Sequence, residues 1–213
     1  MSRVQRMPAA ARRDQLLAAA LARFAATGFR DTSMDDIAEE AGVTKPVLYQ
    51  HFPSKRTLYL ELLDTVGADM VQRIAARVAA ATTPQRRVLA GFEAYFRFVC
   101  EATSSWQLLF SSAARQGDDF ADAVERLEQT VATMIGGLID AAIDDEHRRL
   151  LGYGVVGVAE VTARQWVARS AKGHGAPPGL DPAEAGLLAR RLADMVWAGL
   201  RALPGALAEA AGA

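Results

Sequence analysis

At 213 residues and a formal net charge of −1, the chain is long enough for a substantial core in one or two domains, and its global charge alone assigns no partner. Its one cysteine, Cys100, excludes an internal disulfide and sits in an apolar run that suits core packing. The longest run free of Asp, Glu, Lys and Arg, residues 102–114, is shorter than the roughly 20 apolar residues of a membrane helix. Arg12, Arg13 and Arg23 interrupt the N-terminal apolar stretch that a secretory signal would need, so a cytoplasmic protein with no membrane association is expected.

Helical periodicity begins near Arg12, with Leu16, Leu17, Ala20, Leu21 and Phe24 on one face, and a stop is expected at Gly28. Ser33 or Thr32 then offers an N-cap, and Asp35 and Asp36 fall in a first turn, where the helix dipole favours negative charge. Ile37, Ala38 and Ala41 make a narrow apolar face before Gly42, which can take the left-handed conformation that ends a helix. Thr44 offers a second N-cap, and Lys45 and Pro46 open a helix to about His51, where the missing proline N–H does no harm. Pro53 ends that helix, and Ser54 caps a long one carrying Leu58, Leu62, Leu63, Val66 and Met70 to about Ala81.

Further on, Pro84 opens a helix with Val88, Phe92, Tyr95, Phe96 and Val99, and Trp106, Leu109 and Phe110 suggest a short one. Asp118 and Asp119 start another through Leu127, Val131, Met134 and Ile135 to about Ile143, and Asp144 and Asp145 start the next, to near Lys172. A Gly/Pro loop, residues 172–182, precedes a last helix over about Pro182–Leu203. The expectation is an all-α protein of about nine helices: a three-helix helix-turn-helix domain over 1–60 and a C-terminal helical bundle over 61–213. The first 60 residues hold 9 Lys and Arg against 6 Asp and Glu, and the remainder 15 against 19, so the cation excess lies with the helix-turn-helix.

Short helix, glycine turn and short helix is a pattern that reads double-stranded DNA, although helix pairs of this kind also serve as plain packing units. With Leu48 inward, joined by Val43 and Phe52, the second helix turns Lys45, Pro46, Val47, Tyr49 and Gln50 outward, with His51 and Lys55 close behind. Lys donates to guanine, Gln pairs with adenine, compact apolar groups meet thymine methyls, and Tyr, His and Lys reach phosphates. The DNA-contacting set expected is Thr32, Ser33, Thr44, Lys45, Pro46, Val47, Tyr49, Gln50, His51 and Lys55.

The patterns that could suggest catalysis or a cofactor have plainer readings. Gly152, Gly154 and Gly157 match the dinucleotide fingerprint, but the flanking residues read as helix and no acidic residue follows at the ribose distance. Small side chains at 152, 154, 157 and 159 suit close approach of another helix instead. Asp118, Asp119, Asp144, Asp145 and Glu146 read as solvated first-turn charges, and His51, His147 and His174 have no metal-ligand spacing. No enzyme activity, metal or cofactor is expected.

The aromatic residues of the C-terminal part are either ordinary core or the lining of a cavity between helices. The set considered for a hydrophobic small-molecule effector is Phe92, Tyr95, Phe96, Val99, Trp106, Leu109, Phe110, Met134 and Trp166. Tyr95, Arg97, Gln107, Arg115, Arg164 and Gln165 are the polar candidates nearby.

The stretches LLAAALARFAATGF (16–29) and TSMDDIAEEAGVTKPVLYQHFPSK (32–55), with the following Leu58 and Tyr59, resemble the DNA-binding domain of the TetR family of bacterial repressors. The resemblance implies a homodimeric repressor whose first three helices bind an operator half-site. It also implies an effector pocket in the C-terminal bundle and a four-helix interface made by the last two long helices of each subunit. KPVLYQHFPSKRTLYL, VVGVAEVTARQWVAR and the terminal VWAGL loosely resemble actinobacterial regulators of fatty-acid synthesis within that family, which sense long acyl-CoA. A drug-sensing efflux regulator is the rival within the family, and a helical small-molecule-binding protein without DNA function the rival outside it.

Overall fold

A computed structural model of the chain describes residues 8–110, 118–172 and 180–205. Among these the protein is all-α, with no strand and nine helices. In chain order they are α1 (Ala9–Asp31), α2 (Met34–Glu40), α3 (Lys45–His51), α4 (Lys55–Ala79), α5 (Pro84–Glu101), α6 (Thr103–Leu109), α7 (Asp118–Gly137), α8 (Asp145–Lys172) and α9 (Pro182–Leu200). They group into two compact units, one of residues 1–67 with 104–124, the other of residues 68–103 with 125–213. The expected Gly/Pro loop falls largely on 173–179, and His174 and Arg115 with it lie outside the described residues.

In the first unit α1 buries Leu16, Leu17, Ala20 and Phe24, while Leu21 is half-buried. It starts at Ala9, earlier than its apolar pattern suggests, with Pro8 at the N-cap position. Gly28 interrupts it at φ +80°, and a short turn carries the chain on to Asp31. The carbonyls exposed there need donors. The Lys55 ammonium supplies them, donating to the carbonyls of Phe29 (2.7 Å), Arg30 (3.2 Å) and Thr32 (2.7 Å) while lying 4.5 Å above the Phe29 ring. A cation at a helix C-terminus is also favoured by the dipole. Thr32 is buried beside it, its hydroxyl donating to the Gly28 carbonyl at 2.7 Å.

Leu108 of α6 and Phe120 of α7 join this unit by packing on its aromatic residues. Phe120 meets Phe29 at 5.0 Å and Tyr59 at 4.7 Å between ring centroids, and Tyr59 stands edge-on to Phe24 at 5.1 Å. The Tyr59 hydroxyl reaches the Leu108 carbonyl at 3.5 Å. Such tilted and edge-to-face pairs match the positive edge of one ring to the negative face of the next.

In the second unit α5 starts at the Thr83 cap, whose hydroxyl accepts the Arg86 N–H, and packs chiefly on α9. The buried residues of α9 are Ala185, Ala189 and Ala193, a small-residue stripe that lets the bulky face of α5 come close. Trp166 of α8 is buried, sits 6.0 Å from Phe96 of α5, and donates its indole N–H to Glu184 of α9 at 2.8 Å. Arg169 engages the other oxygen of that carboxylate. The half-buried Cys100 thiol donates to the Leu180 carbonyl, and burial pushes its pKa up, away from reactivity.

Two expectations change here. The helix expected to reach Ile143 stops at Gly137, after two successive glycines, and Arg148 turns back to donate to the carbonyls of Ile139 and Ala141 beyond it. The glycines of α8 divide by role. A Cβ on Gly152 would sit 2.2 Å from the Ala132 carbonyl oxygen, so this glycine lets α7 and α8 touch, whereas Gly154 and Gly157 face open space within the chain. The fingerprint glycines lie inside a helix, with no strand-to-helix turn to hold a pyrophosphate.

The Ser33–Asp36 cap ties the stability of the fold to a carboxylate charge. Asp36 accepts the Ser33 N–H at 2.8 Å, and this bond with the Ser33 hydroxyl holds its pKa below the usual 3.8. A depressed folded-state pKa adds stability that is present above the unfolded value and lost as pH falls through the folded one. Asp36→Asn should therefore flatten the decline of unfolding free energy below about pH 4, measured by urea titration at several pH values. Ser33→Ala should cost about 1 kcal/mol near neutrality.

Candidate nucleic-acid interface

A seven-residue helix such as α3 has no stability of its own, so its direction is set by what clamps its two ends. At its N-terminal side α2 begins with a full capping box between Ser33 and Asp36 and ends at Glu40, with Ala41 as its C-cap. Gly42 follows at φ +61°, donating its N–H to the Glu39 carbonyl, while Val43 donates to Ala38, both at 2.9 Å. This paired 5→2 and 6→1 arrangement is the Schellman motif. Gln15 of α1 donates to the Ala41 carbonyl at 2.8 Å. At the other end Arg13 donates to the His51 carbonyl at 3.2 Å, stacks 4.4 Å over the Phe52 ring and pairs with Glu61. Leu48 and Phe52 are wholly buried.

Clamped this way, α3 presents Lys45, Pro46, Tyr49 and Gln50 to solvent at positions i, i+1, i+4 and i+5, one continuous face. Tyr49 is 43% exposed, unusual for a large ring with no partner to cover it. Val47 and His51 are half-buried at its margins. Thr44 is exposed at the N-cap position, but its side chain makes no capping hydrogen bond. The Lys45 ammonium lies 2.8 Å from Asp35 of α2, which holds its pKa above the usual lysine value.

The remaining expected contacts are placed elsewhere. Thr32 is 1% exposed and bonded into the end of α1, so it presents nothing to a ligand. Lys55 does not reach out for a phosphate as expected, because its three N–H donors are directed at three backbone carbonyls. The exposed Ser33 hydroxyl is taken up with the Asp36 cap. Arg13, Gln15 and Asp35 are the residues that sequence reasoning missed. The signal available was polar residues on the same side of α1 as Leu16, and opposite charges ten positions apart across the glycine turn.

The aromatic set splits between the units. Phe92, Tyr95, Phe96, Val99 and Trp166 are buried in the second unit, with Met134 half-buried there, and Tyr95 stands edge-on to Phe96 at 5.4 Å. Trp106, Leu109 and Phe110 belong to the first unit, where the two rings lie 5.2 Å apart. Tyr95 alone among the described polar candidates is buried; Arg97, Gln107, Arg164 and Gln165 are exposed, so they do not converge on an apolar lining.

Residues 16–62 match the family model described as bacterial regulatory proteins, tetR family, and residues 84–199 match that of a tetracyclin repressor-like C-terminal domain. The chain is 32% identical over 167 residues to the HTH-type transcriptional activator FasR of Mycolicibacterium smegmatis, covering 78% of this chain and 76% of that one. A TetR-like transcriptional regulator from Rhodococcus sp. RHA1 superimposes with a TM-score of 0.72 at 26% identity, over 92% of this chain and all of the other. FadR of Bacillus subtilis, solved in complex with stearoyl-CoA, shares the fold at a TM-score of 0.74 and 14% identity, over 87% of this chain and 98% of that one.

Proposed function

Because the chain belongs to the TetR family of bacterial transcriptional regulators, we propose that it reads a pseudopalindromic operator through α3 as a homodimer and releases it when a long hydrophobic ligand such as an acyl-CoA binds. The observation that carries the DNA part is the exposed face of Lys45, Pro46, Tyr49 and Gln50 on a helix clamped at both ends. The division of labour proposed is 1–60 for operator reading and 61–213 for effector binding and dimerisation. Release of a promoter-blocking operator makes a repressor, the sense that the family resemblance implies. The name activator attached to FasR of Mycolicibacterium smegmatis supports the other sense, in which the operator lies upstream and occupancy switches transcription on.

The ligand reading rests on FasR as the relative and on the stearoyl-CoA complex of FadR. The residues proposed to meet an acyl chain are those of the second unit, Phe92, Tyr95, Phe96, Val99, Met134 and Trp166. Dimerisation is supported by apolar side chains left uncovered on α8 and α9. Leu150 and Val161 are 67% and 54% exposed, eleven residues apart on one face, and Leu187 and Met195 are 39% and 53% exposed. A two-fold pairing brings each such patch against its own copy and doubles the base readout.

Three measurements test this. Lys45→Ala with Tyr49→Ala should weaken operator binding by about 1–3 kcal/mol for each base-reading side chain removed, with helix content unchanged by circular dichroism; unaltered gel shifts would remove α3 as the reader. Val161→Arg with Met195→Glu should convert a dimer seen by light scattering into a monomer, and a wild-type monomer at micromolar concentration would overturn the dimer. Acyl-CoA of rising chain length, titrated into the protein–operator complex, should quench Trp166 fluorescence and weaken DNA binding about 5–150-fold, with operator weakening the ligand by the same factor. If a cationic dye releases the DNA and acyl-CoA does not, the lipid reading gives way to drug sensing.

A further inference from the structure

Lys45 opens α3 and Asp35 sits in the first turn of α2, ten residues earlier and on the other side of the Gly42 turn. The ammonium nevertheless contacts both carboxylate oxygens, at 2.8 and 3.0 Å. Both side chains are more than half exposed, and an ion pair in that setting does little for stability. Its position is what matters. Lys45 is the only charged residue on the exposed α3 face, beside Pro46, Tyr49 and Gln50, and Lys55, the nearest cation along the chain, is spent on backbone carbonyls.

We propose that Asp35 is a specificity-determining positioning residue, which holds the Lys45 ammonium at the head of α3 so that it meets a base acceptor in the groove instead of whichever phosphate is nearest. This rests on the operator-reading role proposed for α3. The physical argument concerns differences of affinity. Binding to random DNA comes almost wholly from cations that neutralise phosphates, whereas sequence preference comes from donors held in register with base edges. The flexible lysine stem lets its ammonium wander to phosphate unless something restrains it. A carboxylate 2.8 Å from its head restrains it, leaves an N–H donor free for guanine O6 or N7, and repels the backbone of every sequence alike. Weak binding to all DNA with little loss on the right sequence is a gain in discrimination.

The test uses the full-length protein and two duplexes: the one most enriched by the wild-type protein from a randomised library, and the same duplex with its bases shuffled. Affinities are measured across a salt series for the wild type, Asp35→Asn, Lys45→Ala and the double variant. Glu40→Gln, an exposed α2 change of the same charge, serves as control. Asp35→Asn should tighten binding to the shuffled duplex on the order of tenfold at about 0.1 M salt and steepen its log–log salt slope by about 0.9, one more phosphate neutralised. Binding to the selected duplex should change less, so discrimination falls, and Asp35→Glu should restore part of it. Glu40→Gln should move both duplexes together, and once Lys45 is alanine Asp35→Asn should do the same, with discrimination between the duplexes unchanged. Equal behaviour of Asp35→Asn and Glu40→Gln, or a loss of discrimination on Asp35→Asn that persists without Lys45, overturns the proposal while leaving operator reading intact. A wild-type protein that enriches no duplex overturns operator reading itself, and this proposal with it.

Discussion

The left-handed backbone at Gly42 is the constraint on which the DNA-facing side depends. It reverses the chain between α2 and α3 within a few residues and lets Gly42 and Val43 satisfy the carbonyls that α2 leaves open. A side chain there would meet nothing within 4 Å, so the demand is conformational and not steric. Gly152 is the opposite case, an ordinary helical position where a single added carbon would strike the Ala132 backbone. Two glycines thus do different work: one bends the chain, the other lets two helices touch.

Once the turn is set, α1 fixes where α3 points. Gln15 grips the end of α2 and Arg13 the end of α3, and Arg13 is itself held by Glu61 of α4. These are long side chains spanning between helix ends, which is how a helix too short to persist alone acquires a definite direction. The same economy governs Lys55, whose ammonium closes the end of α1. Part of the cation excess of the first 60 residues, Arg13 and Lys55, is therefore engaged within the protein and not turned toward a phosphate. These charges are internal fasteners, and the operator-reading role proposed for α3 rests on a few neutral or paired groups.

Much of this is legible in the sequence because local chemistry decides it. The Ser33 cap, the Gly42 stop, the Pro46 start, the inward Leu48 and the bounds of α3 follow from residue preferences within a few positions, and the structure places each accordingly. What is not legible depends on partners distant in the chain. Thr32 and Lys55 look like surface polar groups until the end of α1 folds against them, and Asp35 looks like a dipole charge until Lys45 meets it across the turn. The grouping of 104–124 with the N-terminal helices rests on Phe120 meeting Phe29 and Tyr59, a pairing that no periodicity announces. The end of α7 escapes local reading for a similar reason, since Arg148, eleven residues on, stabilises the non-helical carbonyls after Gly137.

The sequence of α8 leaves apolar side chains uncovered within the second unit. A surface helix has one apolar stripe and one polar face. Here Ala159, Ala163 and Trp166 are buried and Gly152 meets α7, while Leu150 and Val161 are exposed with the open glycines 154 and 157 between them. An apolar face with glycines at its centre invites a close neighbour, because without Cβ atoms a second backbone can approach closely. Leu187 and Met195 of α9 extend the uncovered apolar surface. The second copy proposed above would cover such a face without any further component, because a two-fold axis brings each stripe against its own copy. In the proposed dimer, the copy that covers α8 would also supply the second reading helix for a two-fold operator.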